Sequence, residues 1–209
     1  MRVVLATGNS GKVREFSTLL APAGFEFVPQ SALGIEGPEE TGRTFFDNAL
    51  LKARHAARVS GMAAMADDSG LEVDALEGAP GVFSARYAGI DATDQDNIQK
   101  LLAALIGLPI EQRVARFRCA IVLLEHPDAE PIFGSGEWQG RILLAPRGRN
   151  GFGYDPIFEP ALHETGAYLG LSAAEMDSVK KHQQSHRAKA LENLRHTLQV
   201  KQSLANTRS

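Results

Sequence analysis

Two adjacent aspartates, Asp67 and Asp68, directly follow a run of small apolar residues at 62–66. The run predicts a short buried strand, which we expect to end where Ser69 and Gly70 follow the aspartates. Successive strand residues point to opposite faces of a sheet, so both carboxylates cannot face one ligand from a regular strand. At a strand end, however, one carboxylate can point into a cleft, where α/β enzymes usually hold Mg²⁺ against phosphate oxygens. A polar turn without a ligand is the alternative interpretation.

A glycine-rich turn near the N-terminus separates a β-rich apolar run, 2–7, from a helical pattern that begins at Val13. The turn consists of Thr7, Gly8, Asn9, Ser10, Gly11 and Lys12. A strand, a turn and a helix in this order present backbone N–H groups to an anion. The spacing is too short for a Walker A loop, and Val13 replaces its Ser or Thr. We therefore predict a phosphate-binding loop, with an ordinary turn as the alternative.

An amphipathic helix is predicted to begin after Thr41 or Thr44 and to run to about Ser60, where Gly61 stops it. Lys52 lies on the apolar stripe of this helix. A lysine is rarely buried without a partner, so Lys52 either reaches solvent along its stem or pairs with an anion. Because the helix leads to the aspartates, we expect Lys52 near their site.

The composition suits one domain over residues 1–209, with a polar tail at 199–209 that we expect to fray. The one cysteine, Cys119, excludes an intramolecular disulfide and is predicted to be buried. A net charge of −3 argues against nucleic-acid binding, and no apolar run approaches the ~18 residues of a membrane span. The N-terminus turns polar too soon for a signal peptide. We expect a cytoplasmic protein that binds neither nucleic acid nor membranes.

Two long strands are predicted over 115–125 and 131–139, joined by a short turn. Gly134 and Gly136 lie inside the second strand, where glycine suggests a bulge. No helix follows them directly, so they do not form a dinucleotide-binding loop. Trp138 is expected to pack on the sheet.

A glycine-rich stretch at 147–156 carries two aromatic residues, Phe152 and Tyr154. Its glycines allow the backbone to approach a ligand closely, and Asp155 is held extended by the proline after it. A flat ring stacked on Phe152 would need such a loop. A surface loop with one packed aromatic is the alternative.

A basic cluster lies just before and at the start of the final helix, which is predicted to begin near Ser185. The cluster contains Lys181, His182, His186 and Arg187. His182 and His186 are four positions apart, as in zinc-binding helices, but no third ligand accompanies them. The cluster is more typical of contacts with an anion or with the edge of a base.

Seven short motifs occur in order along the chain. They are TGNSGK (7–12), EETG (39–42), DDSG (67–70), GAPG (78–81), SARY (84–87), GFGYDP (151–156) and SHR (185–187). Each motif alone is modest, but together they cover the chain from Val3 to about Leu198. The chain thereby resembles the inosine/xanthosine triphosphate pyrophosphatase family, whose members hydrolyse non-standard purine nucleoside triphosphates.

The resemblance implies an α/β fold with a long mixed β-sheet flanked by helices, in two lobes with the active-site cleft between them. It also implies a homodimer and a Mg²⁺ cofactor. The implied reaction is hydrolysis of ITP, dITP or XTP to the monophosphate and pyrophosphate. Two other functions remain open from the residues alone: a nucleotide-binding regulator without turnover, and a hydrolase for other phosphate substrates, such as modified pyrimidine triphosphates.

The resemblance also implies roles for individual residues. The triphosphate is lined by Thr7, Gly8, Asn9, Ser10, Gly11 and Lys12. Asp68 is the catalytic, metal-binding carboxylate, Glu39 is its partner at the metal with Glu40 as the alternative, and Ser69 contacts the substrate. The base pocket is formed by Phe152, Gly153, Tyr154, Asp155, Lys181, His186 and Arg187. The run 180–184 departs from the family pattern, which is usually more acidic and apolar there.

The chemistry of the reaction fits these residues. Water attacking the α-phosphorus requires an oriented nucleophile and a stabilised pyrophosphate leaving group. Asp68 can orient or deprotonate the water, while Lys12 and Lys52 can stabilise the leaving charge. A donor such as Lys181 or a backbone N–H would donate a hydrogen bond to the 6-carbonyl of hypoxanthine or xanthine, whereas adenine would leave that donor unpaired.

Overall fold

The computed structural model describes residues 2–8, 12, 16, 26–162 and 169–206, and these form an α/β fold around one six-stranded sheet. The strands are β1 (Arg2–Leu5), β2 (Glu26–Pro29), β3 (Ala63–Val73), β4 (Val114–Leu124), β5 (Ile132–Ile142) and β6 (Phe158–Pro160). Their order in the sheet is β2-β1-β3-β4-β5-β6. Strand β1 pairs in parallel with β2 and β3, whereas β5 and β6 are antiparallel. The predicted mixed sheet is confirmed.

Four α-helices accompany the sheet in the parts of the chain described at 26–162 and 169–206. They are α1 (Phe45–Ser60), α2 (Asp94–Ala104), α3 (Ser178–Gln184) and α4 (His186–Asn206). The ends of α1 follow local signals, because Thr44 and Asp47 form a capping box and Gly61 ends the helix with a left-handed φ of 67°. The final helix was expected from Ser185 to about Leu198, but it begins one residue later and continues to Asn206. No helix among the described residues is long and apolar enough to cross a membrane.

The chain divides into two compact units, with boundaries inside the three long strands. The first unit contains Met1–Asp68, Cys119–Gly136 and His186–Ser209, and the second contains Ser69–Arg118 and Glu137–Ser185. In the second unit, Trp138 is buried and packs with Phe117 and Phe158, as expected for a residue on the sheet.

The first unit has a core on each side of its part of the sheet. On one side, Val3, Leu5 and Met65 pack with the buried leucines Leu191 and Leu194 of α4. Cys119 belongs to this core, which confirms its prediction as a buried residue. On the other side, strand residues pack with the small residues of α1, and this set comprises Val4, Ala6, Ala64, Ala66, Ala49, Ala53, Ala56 and Ala57. The alternation follows from the two-residue period of a strand.

Strand β3 does not end at the aspartates, so the expected strand end and turn are wrong. It runs without interruption from Ala63 to Val73, and Asp67, Asp68 and Gly70 all lie inside it. The strand period then places Asp67 on the face of Met65, toward α4, and Asp68 on the opposite face, toward α1. A single strand therefore presents one carboxylate to α4 and the next one to α1.

Gly134 and Gly136 do not form the predicted bulge, because β5 is continuous through both. Their function is to let α4 approach the sheet closely. A Cβ atom at Gly134 would collide with the carbonyl oxygen of Ala190, and one at Gly136 would collide with that of His186. Only glycine fits under the first two turns of α4, and this contact fixes the position of its basic N-terminal residues.

Candidate active site

Asp68 is held on both carboxylate oxygens by side chains of α1. Asn48 donates a hydrogen bond from Nδ2 to Oδ2 at 3.1 Å, and Lys52 donates from Nζ to Oδ1 at 2.9 Å. The same Lys52 ammonium also donates to Oε1 of Glu40 at 2.8 Å. Asn48 and Lys52 are one helical turn apart and so share a face of α1. Of the two alternatives for Lys52, a stem that reaches solvent or a pairing with an anion, the structure shows the pairing.

The loop before α1 is tied to this group through Asn48. Its Oδ1 accepts a hydrogen bond from the backbone N–H of Gly42 at 2.8 Å. A Cβ atom at Gly42 would lie 2.5 Å from that oxygen, so a side chain there would displace Asn48. The sequence analysis did not single out Asn48. The available signal was a polar residue on the otherwise apolar, fully buried side of α1.

Asp67 is paired with cations on the other face of β3. Its Oδ2 lies 2.8 Å from Nζ of Lys12 and 3.9 Å from Nε of Arg187. The side chain of Asp67 is 1% exposed, that of Arg187 7% and that of Lys12 13%. The structure thus brings together two residues predicted from distant motifs, through a carboxylate whose role the sequence left open.

The pKa values of the two aspartates are shifted in opposite directions. Burial raises the pKa of Asp68, Lys52 and Lys12 counteract this, and Glu40 adds to it, so that the pKa lies above its usual value. Burial also raises the pKa of Asp67, but Lys12, Arg187 and Lys52 outweigh it and bring that pKa below its usual value. Asp67 is therefore a fixed anion, whereas Asp68 is the more basic carboxylate and the better proton acceptor.

Lys52 remains a cation in this setting. Burial lowers the pKa of its ammonium, but the carboxylates of Asp68, Asp67 and Glu40 together raise it above its usual value. A permanent positive charge between two carboxylates is one component of a site for a polyanion and its counter-cation.

The residues 151–155, hereafter the Phe152 loop, belong to the second unit. Oδ2 of Asp155 accepts hydrogen bonds from the backbone N–H of Phe152 at 2.9 Å and from Nζ of Lys181 at 2.6 Å. The Lys181 ammonium lies 5.7 Å from the centroid of the Phe152 ring. Gly151 has a φ of +82°, and a Cβ atom there would lie 2.9 Å from the Lys181 ammonium.

Tyr154 anchors the same loop from inside the second unit. Its hydroxyl donates a hydrogen bond to the backbone carbonyl of Ser84 at 2.8 Å. Burial raises the pKa of this phenol above its usual value, so it stays a hydrogen-bond donor. Ser84 in turn accepts from the N–H of Leu71 on β3 through its hydroxyl. Tyr154 is thus a buried anchor of the loop, whereas it was predicted as part of the base pocket.

A family model described as the Ham1 family matches residues 3–197 of this sequence. The chain belongs to the Ham1 family. A dITP/XTP pyrophosphatase from Vibrio vulnificus (strain YJ016) is 54% identical over 198 residues, 94% of this chain and 96% of that protein. A dITP/XTP pyrophosphatase from Yersinia pseudotuberculosis serotype I (strain IP32953) is 55% identical over 192 residues, 91% of this chain and 94% of that protein. The family resemblance carried by the seven motifs is confirmed.

Solved Ham1 structures have the same fold. A HAM1 protein from Coxiella burnetii matches with a TM-score of 0.83 at 46% identity, over 95% of this chain and 98% of that chain. The Staphylococcus aureus Ham1 protein matches with a TM-score of 0.80 at 37% identity, over 96% of this chain and all of that chain. The α/β architecture is therefore shared by these Ham1 proteins and this chain.

Two carboxylates of this Ham1 chain, those of Asp68 and Glu40, meet at one cation. Asp68 and Glu40 both lie within 2.9 Å of the Lys52 ammonium, so the cluster already holds positive charge between two carboxylates. Mg²⁺ is usually bound by one or two carboxylates together with phosphate oxygens and waters. Among the described residues, no three His, Cys, Asp or Glu side chains form a ready metal cluster. Glu39, the predicted metal partner, is exposed, and Glu40 is the neighbour that reaches Lys52.

The remaining predicted residues of this Ham1 chain are placed as follows. Thr7 is buried at the end of β1, Gly8 is exposed, and Ser69 is half-buried directly after Asp68. His186 is buried as the first residue of α4. Asn9, Ser10 and Gly11 lie outside the described residues, as does the side chain of His182, so the pairing of His182 with His186 stays untested.

Proposed function

We propose that this chain hydrolyses the non-standard purine nucleoside triphosphates dITP, XTP and ITP to the monophosphate and pyrophosphate, with Mg²⁺, and so clears them from the nucleotide pool. The chain is a nucleoside triphosphate pyrophosphatase, since relatives more than half identical over more than nine-tenths of it are named dITP/XTP pyrophosphatases. The observation that carries the finer proposal is the buried ammonium of Lys52 between Asp68 and Glu40. Alternating charges of this kind suit a polyanion bound with a metal.

Asp68 is the residue that we assign to the attacking water. Asn48 and Lys52 each fix one of its oxygens, so the carboxylate is oriented before substrate binds. A carboxylate fixed in this way can align a water with the α-phosphorus and take its proton. Mg²⁺ bound by Asp68 and Glu40 would supply charge neutralisation on the triphosphate.

Two lysines are suited to the leaving pyrophosphate. Lys12 and Lys52 each lie against a buried carboxylate, which holds both ammonium groups in place. Fixed positive charge stabilises the negative charge that develops on the leaving group. Of the two, Lys12 is the last residue of the predicted phosphate-binding turn.

The Phe152 loop supplies a flat surface for the base, and Lys181 supplies a hydrogen-bond donor. We assign stacking on the purine to Phe152, and recognition of the 6-carbonyl to the Lys181 ammonium, which Asp155 orients. Hypoxanthine and xanthine carry a 6-carbonyl, whereas adenine carries an amine and would leave the donor unpaired.

A panel of nucleoside triphosphates tests the proposed function. With Mg²⁺, dITP, XTP and ITP are expected to give equal amounts of monophosphate and pyrophosphate, and to react far faster than ATP. Without Mg²⁺, in the presence of a chelator, turnover should stop. Diphosphate and orthophosphate as primary products would contradict attack at the α-phosphorus. A preference for modified pyrimidines, or binding without turnover, would replace the proposal by one of the other two functions.

Base recognition predicts a difference between two sets of variants. Lys181→Ala and His186→Ala should lower kcat/KM for ITP much more than for ATP, because an unpaired base-edge contact costs about 1–3 kcal/mol, or roughly ten- to a hundredfold. Lys12→Ala should lower kcat/KM for both nucleotides alike, because both carry the same triphosphate. Steady-state kinetics with ITP and ATP measure the two ratios. Equal losses in all three variants would reassign Lys181 and His186 to the phosphates.

We also propose, from the family resemblance, that two copies of the chain form a homodimer and that the protein acts in the cytoplasm. Light scattering of the purified chain measures its mass directly. A monomer at micromolar concentration would remove the homodimer from the proposal without affecting the chemistry at Asp68.

A further inference from the structure

We infer that Asp94, the first residue of α2, is a positioning residue that fixes the Phe152 loop for the purine base. Its Oδ2 accepts a hydrogen bond from the backbone N–H of Gly153 at 2.7 Å. The two residues belong to the same unit but are 59 positions apart in sequence. The inference rests on the proposed function, because that function assigns the base to Phe152.

The carboxylate of Asp94 is not needed to cap α2. Thr93 and Asp96 already form a reciprocal capping box: each backbone N–H donates to the side chain of the other. The helix dipole favours an acidic residue in the first turn but requires no particular hydrogen-bond partner for it. The bond to Gly153 is therefore a tertiary contact between α2 and the loop, and its acceptor is charged, which strengthens it.

The two peptide N–H groups on either side of the Phe152 Cα atom are both held by carboxylates. The N–H of Phe152 itself donates to Asp155 at 2.9 Å, and the next N–H, that of Gly153, donates to Asp94 at 2.7 Å. Gly153 has a φ of +59°, which a residue with a side chain adopts only under strain. With both peptide groups fixed, the backbone sets the direction in which the Phe152 ring leaves the chain.

This arrangement predicts a specific kinetic effect. A loop that is ordered before the ligand arrives does not lose conformational freedom on binding, so the ligand binds more tightly. Without Asp94, the Gly153 peptide is free to turn, and the cost of ordering Phe152 falls on each binding event. The hydrogen bond of Asp94 goes to the Phe152 loop, whereas Asn48 and Lys52 hold Asp68, so the chemical step itself should be preserved.

Asp94→Ala should raise KM for ITP about five- to tenfold, while kcat changes less than about twofold. Inorganic tripolyphosphate has no base, so its inhibition constant as a competitor of ITP should be unchanged. Asp94→Asn keeps an acceptor oxygen and should restore most of the lost affinity. Gln95→Ala, the adjacent exposed position in the same helical turn, is the matched control and should behave as the wild type.

Amide hydrogen exchange without any ligand gives a second measurement. Exchange in 151–155 should be faster in Asp94→Ala than in the wild type, and Gln95→Ala should leave it unchanged. If the wild-type enzyme is active, an unchanged KM or unchanged exchange in Asp94→Ala would overturn the inference about Asp94 but not the proposed function. An equal weakening of ITP and tripolyphosphate would also overturn it, by placing the effect at the phosphates. A wild-type chain without activity on purine triphosphates would instead overturn the proposed function, and the purpose assigned to Asp94 with it.

Discussion

Asp68→Asn is expected to lower kcat for ITP by about a thousandfold or more, while the protein keeps its fold. The substitution keeps the size and shape of the side chain and one acceptor oxygen for Lys52. It removes the proton acceptor and also the negative charge that, in our proposal, binds the metal. Loss of a positioned general base alone costs about 10²- to 10⁴-fold, and the loss of charge adds to it.

Thermal unfolding separates this effect from a structural one. The melting temperature of Asp68→Asn should stay close to the wild-type value, because Lys52 keeps Glu40 as its partner. The substitution also removes the repulsion between the carboxylates of Asp68 and Glu40. Asp128→Asn, in the exposed turn between β4 and β5, is the matched control for both activity and stability. A near-wild-type rate for Asp68→Asn with Mg²⁺ would eliminate Asp68 as the catalytic carboxylate.

The elements that could be predicted from the sequence are those with local causes. Helix α1 begins at Thr44 and ends at Gly61 because a capping box and a left-handed glycine act within a few residues of each end. The same holds for α2, which begins after Thr93. The position of Lys52 on the apolar stripe restricted it to two alternatives, solvent along its stem or an anion, and the structure shows the anion.

The course of β3 could not be predicted, because its causes lie far away in the sequence. Two carboxylates and a glycine are typical of a turn, and each carboxylate in a buried strand is tolerable only when a cation meets it. The cations are Lys12 for Asp67 and Lys52 for Asp68, and each comes from a different segment. Once both pairs form, the strand can continue, and the tertiary contacts outweigh the local preference.

Gly134 and Gly136 are a second case in which residues far away in the sequence decide the local structure. Glycine inside a strand pattern indicates either a bulge or a close approach of another backbone, and the local sequence does not distinguish them. The backbone that approaches is that of α4, about fifty positions later in the chain. The pairing of Glu40 rather than Glu39 with Lys52 was equally open, because it depends on the path of a loop with no regular secondary structure.

Asp67→Asn is expected to act on stability, in contrast to the same substitution at the next residue. The carboxylate of Asp67 is buried between the Lys12 ammonium at 2.8 Å and the Arg187 guanidinium at 3.9 Å. With asparagine at this position, the Lys12 ammonium and the Arg187 guanidinium would lie in a buried position without the negative charge of the carboxylate. Removing one partner of a buried ion pair costs about 3–5 kcal/mol, which in a chain of this length lowers the melting temperature by roughly 10 °C.

A double-mutant cycle assigns the loss to the charge imbalance. Lys12→Met removes the nearer cation and keeps an apolar stem of similar length, so Asp67→Asn should cost less in that background than in the wild type. The difference between the two costs measures the coupling of Asp67 and Lys12 and should be on the order of 1–3 kcal/mol for residues in direct contact. Asp128→Asn again controls for loss of a carboxylate without a buried partner. Equal costs in both backgrounds would mean that Asp67 does not stabilise the fold through its pairing with Lys12.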